Sequence, residues 1–76
     1  MTKQLPRVKA DDVVRVARKL GFQFDRQSGS HAVYFRPADK RRFVVPIHAG
    51  RILKPKTLGG IIKDMGIEVG DFRKLL

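Results

Sequence analysis

Two histidines, His31 and His48, are the only side chains among these 76 residues whose ordinary titration range, near pH ~6.5, suits proton transfer at neutrality. His31 opens an apolar run directly after the turn-forming Ser28-Gly29-Ser30, and His48 ends the run Val44-Val45-Pro46-Ile47. The ordinary reading of either is a surface histidine at an element boundary; general acid/base work is the functional one. They lack the i, i+4 spacing of a helical metal pair, and no cysteine or carboxylate cluster supports them, so no metal site is expected. Ser28 and Ser30 lie beside His31 without an acid to complete a triad. Gly59-Gly60 stands alone, without the spacing of a phosphate-binding loop.

Charge says which substrate such a histidine would meet. Lys plus Arg number 17 against 7 Asp plus Glu, a formal charge of +10. Residues 1–38 carry 8 positive and 3 negative groups, and residues 39–76 carry 9 and 4, so the whole globule is basic rather than tailed. Polyanions are the expected partners, nucleic acid before an acidic protein. RNA brings its own nucleophile, the 2′-OH, and leaves the protein only proton transfer and phosphate stabilisation. With no cysteine, disulfide frameworks, thiol catalysis and Cys-ligated metals are excluded. No apolar run approaches the ~20 residues of a membrane span, and the start lacks a signal-peptide core; a soluble cytoplasmic domain without cofactor is expected.

The elements that must position the histidines follow from periodicity. Residues 1–8 read as a lead-in broken by Pro6, and one domain fills the chain. Ala10, Val13, Val14, Ala17 and Leu20 form a helical stripe, with Asp11 and Asp12 in the first turn and Gly21 as the stop. Arg15, Arg18 and Lys19 cluster opposite that stripe, which is ordinarily a solvated face. Phe22 to Gln27 alternates as a half-buried strand with Phe22 and Phe24 inward; His31 to Arg36 and Arg41 to Ile47 are the second and third strands. Pro37 to Lys40 makes the second turn, and Pro46 marks an edge or a strand end. The loop from His48 to Pro55 leads to a second helix with Leu58, Ile61, Ile62 and Met65 on one stripe, ended by Gly66. Gly59 and Gly60 weaken that helix by about 1 kcal/mol each, which close approach to a neighbour or a phosphate would explain. A last turn around Asp71 to Leu76 tucks in Phe72. The expected class is α+β: αβββα, with a three-stranded antiparallel sheet and its helices on one face.

At this point the residues resemble a family. Gly29-Ser30-His31 with the strand to Tyr34, then Val45-Pro46-Ile47-His48, then Leu53 to Ile62 with Thr57-Leu58, are similar to the HicA toxins. Leu20-Gly21-Phe22 and Met65-Gly66-Ile67 fit the same order, from about Lys9 to Leu76. The resemblance implies a double-stranded-RNA-binding-domain-like fold, mRNA interferase activity and a HicB antitoxin covering the active surface. It also implies a catalytic histidine at His31 in the turn with Gly29 and Ser30, with His48 carried over only as a helper. Two departures stand out: Lys56 replaces a small Gly before Thr-Leu, and Lys9 stands where a Ser or Thr often caps the first helix.

The expected function is thus a metal-independent endoribonuclease toxin acting on mRNA. Its RNA contacts are expected from Arg26, Arg36, Arg41, Arg42, Lys54 and Lys56, around the turns and the loop after His48. The rivals are a non-catalytic RNA-binding module of the same fold and a basic protein that docks an acidic partner.

Overall fold

Helix α1 (Ala10–Lys19) starts without a side-chain cap, because Lys9 occupies the N-cap. Asp12 repairs the end from inside: its Oδ2 accepts the Lys9 backbone N–H at 2.9 Å, and its Oδ1 accepts Arg15 Nη2 at 2.6 Å. The Lys9 N–H foremost, with Arg15 adding, holds the Asp12 carboxyl below the usual carboxylate range. The computed structural model describes residues 5–48 and 50–76; the first four residues of the lead-in and Ala49 of the loop lie outside the described residues. The buried stripe of α1 is Ala10, Val13, Val16 and Ala17, while Val14 and Leu20 are only half-buried. The expected stripe thus rotates toward Val16, because α1 leans on both β3 and the C-terminal helix.

The three strands β1 (Gln23–Ser28), β2 (His31–Arg36) and β3 (Arg41–Pro46) form one antiparallel meander in that order. Gly29 takes φ +58° in the two-residue turn between Ser28 and its partner His31. Ala32, Tyr34, Phe43 and Val45 face the helices and are buried. Tyr34 stacks on Phe43 at 5.5 Å, and Phe22 meets Phe43 edge-on at 5.1 Å. The expectation of a half-buried β1 is corrected. Phe22 precedes the strand and enters the core, but every residue of β1 is exposed, Phe24 by 55%. The helices sit over β3 and its neighbour, so the β1 edge stays uncovered, and the pairing with β2 slips between Phe24 and Arg26.

Helix α2 (Pro55–Met65) begins with Pro at its first turn and buries Leu58, Ile61, Ile62 and Met65, the stripe expected. Gly66 ends it in the left-handed region at φ +79°. The expected last turn is a seven-residue helix α3 (Val69–Leu75), which anchors fully buried Phe72 and is tied to α1 by Lys19 Nζ donating to the Leu75 carbonyl at 2.7 Å. Close approach to a neighbouring part of the chain does not explain Gly59 and Gly60. A Cβ at Gly59 would meet only Leu5 Cδ1 at 3.7 Å, and one at Gly60 would meet open space. The segment before α1 closes the fold: Lys9 bridges Ile52, and the Leu53 N–H donates to the Val8 carbonyl at 2.8 Å. No helix among the described residues is long and apolar enough to cross a membrane.

Candidate nucleic-acid interface

Strand register divides the candidate residues between two ends of the sheet. His31 pairs with Pro46 at one end, and Arg36 pairs with Arg41 at the other, ~17 Å away at the usual rise per residue. At the first end the Ile47 N–H donates to the Ser30 carbonyl at 2.5 Å, which extends the β2–β3 pairing around the turn and carries His48 to the same end as His31. Both histidines are exposed, and neither imidazole has a hydrogen bond or ion pair among the described residues. The alternation of the strands puts His31 on the face away from the helices, together with Val33 and Phe35 of β2 and Arg42 and Val44 of β3.

Beside this end lies a cleft of about 300 Å³ between the exit of β3 and the start of α2, lined by Pro46, His48, Arg51, Ile52, Leu53, Lys54 and Thr57. Pro46, Ile52 and Leu53 give it apolar lining, and His48, Arg51 and Lys54, all exposed, give it a basic rim. The first turn of α2 holds no acid, so nothing there offsets the amide groups of the helix start. A phosphate held at this rim would meet three cationic or protonatable groups. Arg51 was not among the expected contacts. Its signal in the sequence was only its place between His48 and Lys54, in a loop whose shape no periodicity gives.

The expected cations separate. Arg26 pairs in register with Val33, two residues from His31, and its guanidinium lies 3.7 Å from the Asp25 carboxylate. Lys54 is the N-cap of α2, and exposed Lys56 sits in its first turn. Arg42 is at the far end, its guanidinium 5.3 Å from the centre of the Phe35 ring. Arg36 and Arg41, also expected among the RNA contacts, are engaged with other parts of the molecule. Arg36 grips Asp39 through Nε at 2.9 Å and Nη2 at 2.8 Å, donates to the carbonyls of Leu20 at 2.9 Å and Met65 at 3.3 Å, and lies 4.5 Å over the Phe22 ring. Arg41 Nε lies 3.2 Å from Asp39, and Nη1 donates to the Asp64 carbonyl at 3.3 Å. The Arg36 hydrogen bond above all lowers the Asp39 carboxyl to about 2, and Asp39 in turn raises Arg36. Among the described residues no three of His, Cys, Asp and Glu gather where they could hold a metal ion.

Comparison with curated proteins gives no match. A family model described as the HicA toxin of bacterial toxin–antitoxin matches residues 10–67 of the 76, a span that runs from the first residue of α1 past Gly66 and takes in both histidines and the cleft.

Proposed function

This chain belongs to the HicA toxin family, a toxin of a toxin–antitoxin pair, and from that premise we propose that it is an endoribonuclease acting on mRNA with His31 as its acid/base group. The observation that carries the reading is an exposed His31 on the rim of the sheet, at the same end as the cationic cleft. Charge brings the phosphodiester in, with Arg26, Arg51, Lys54 and Lys56 contributing. His31 takes the proton of the 2′-OH as that oxygen bonds to phosphorus. The bond from phosphorus to the 5′-oxygen breaks, and the leaving oxygen takes up a proton, with His48 as the helper. The products carry a 2′,3′-cyclic phosphate and a free 5′-OH. A HicB-like antitoxin that covers this end is the partner the reading calls for.

The test is cleavage of a labelled RNA by wild type and His31→Ala. The variant should lose ~10²–10⁴ in rate while keeping its circular dichroism and its RNA affinity, since truncating an exposed side chain removes little packing. Wild-type cleavage should survive EDTA and stop where the ribose at the cut is replaced by deoxyribose. An Ala variant cleaving at the wild-type rate defeats the assignment. One observation favours the second reading, a non-catalytic RNA-binding module: no described group orients the imidazole of His31. Wild-type protein that binds RNA without cutting it would establish that reading instead.

A further inference from the structure

Helix α1 carries Arg15 and Arg18 beside Tyr34 of β2, and the depression between them has no role in the chemistry above. It measures about 430 Å³ and is lined by Asp11, Val14, Arg15, Arg18, Tyr34 and Ile47. Tyr34 is 6% exposed, and its hydroxyl makes no hydrogen bond among the described residues. Because no buried side-chain oxygen or nitrogen is left unsatisfied, that hydroxyl opens to solvent in the depression. Phe24 stands edge-on to the Tyr34 ring at 5.8 Å and exposes 55% of its surface on the same face. The Arg18 side chain is exposed without an ion pair or hydrogen bond among the described residues, whereas Lys19, its neighbour in sequence, is tied to Leu75.

The depression does not end at Ile47. A smaller one of about 120 Å³ shares Asp11 and Ile47 with it and adds Lys9, His48 and Gly50. That one shares His48 with the cleft at the start of α2. One groove therefore runs from Tyr34, whose ring meets Phe24 of the β1 edge, along α1 and past His48 to Lys54.

We infer that this groove binds single-stranded RNA, one base stacked on Phe24 with its edge against the Tyr34 hydroxyl and its phosphate on Arg18. The inference rests on the endoribonuclease reading and names the form of its substrate. Charge supports the occupant: Arg18, Lys9, Arg51 and Lys54 line the path, while Asp12 is taken by Arg15. Asp11, exposed, is the one free carboxylate among the described residues lining the groove; it repels phosphate but accepts from the amino groups of a base. An aromatic face with a cationic track is how proteins hold unpaired strands. A duplex keeps its bases stacked inside and cannot offer one to Phe24, so this groove selects against the shape-read duplex binding that the fold by itself would suggest.

The experiment is fluorescence anisotropy with a short 2′-O-methyl RNA, which the enzyme cannot cut, alone and annealed to its complement. The single strand should bind about tenfold more tightly than the duplex. Phe24→Ala should lose about tenfold in single-strand affinity with its salt slope unchanged. Arg18→Gln should flatten the slope of log K against log salt by about 0.7, one phosphate contact. Phe24→Leu keeps an apolar contact with Tyr34 and removes the aromatic face, so it should show the same loss of about tenfold and carries the test if the Ala variant unfolds. A duplex bound as tightly as the strand, or Phe24→Leu and Arg18→Gln binding like wild type, overturns the inference. If those variants also cleave like wild type, the groove falls and the enzyme stands. If wild type binds the strand as described but cuts no RNA, the enzyme falls and the groove stands.

Discussion

The two ends of the sheet carry the same kind of residue and use it in opposite ways. At the His31 end, the side chains of His31, His48, Arg51 and Lys54 stand exposed with no hydrogen bond or ion pair among the described residues. At the other end, Arg36 and Arg41 are tied to Asp39 and to the carbonyls that finish both major helices. The outward-pointing carbonyls of a helix C-terminus carry partial negative charge, so an arginine there satisfies orphan acceptors and the dipole together. The difference teaches that a high positive charge is not one property. Part of it is left in water, and part is mortar between α1, the β2–β3 turn and α2.

Exchanging the losses at the two ends is the strongest way to break the comparison. His31→Ala should remove ~10²–10⁴ of cleavage rate and leave the denaturant midpoint where it was. Arg36→Ala should do the reverse, costing about 2–3 kcal/mol of stability, read from urea unfolding, with RNA affinity unchanged. An Arg36 variant of full stability but weakened RNA binding would put that residue back on the recognition surface.

Gly66→Ala asks the mortared end a finer question. The position has φ +79°, and a Cβ there would come within 2.6 Å of the Arg41 guanidinium. The side chain of Arg41 can swing aside, so the strained backbone sets the cost, about 1–2 kcal/mol in the same unfolding measurement. Acid gives a smaller effect at the same place. The Asp39 carboxyl is lowered to about 2 in the folded chain against ~3.9 unfolded, so the stability it adds is present above pH ~4 and is lost as pH falls through about 2. Urea midpoints measured across that window should fall less steeply in Asp39→Asn than in wild type. The smallest change expected is a gain. Gly60→Ala, in a helix interior with open space around it, should stabilise by about 0.5–1 kcal/mol, and a loss would mean that the backbone at Gly60 serves a contact beyond the described residues.

Much of this was legible because it depends on local rules. The α2 stripe, the turn at Gly29, the stop at Gly66 and the three strands all follow from spacing and from residues that tolerate positive φ. Phe24 misled for a tertiary reason: alternation shows that a strand has two faces, not that a helix covers either. Arg36 could not be separated from Arg26 in sequence, since an arginine after a strand looks the same whether it meets water or two helix ends. The resemblance pointed to His31 and His48, but the groove along α1 depends on which edge of the sheet the helix leaves bare, and no short stretch of sequence encodes that.

One contact ties the order of assembly to the cleft. The meander and its two tight turns join residues close in sequence, and such pairings form early. The Lys9–Ile52 bridge and the Leu53 to Val8 hydrogen bond join the segment before α1 to the loop that leads into α2, across the whole sheet. Their loop-closure entropy is the largest of any described backbone pairing, so they form late and open first. Ile52 and Leu53 also line the cleft. The amide of Leu53 should therefore exchange with deuterium through a partial opening well below the global unfolding free energy, while Val45 in β3 exchanges only with the whole fold. Maturation of the cleft wall would then be the final event in the folding of this toxin, after its sheet is complete.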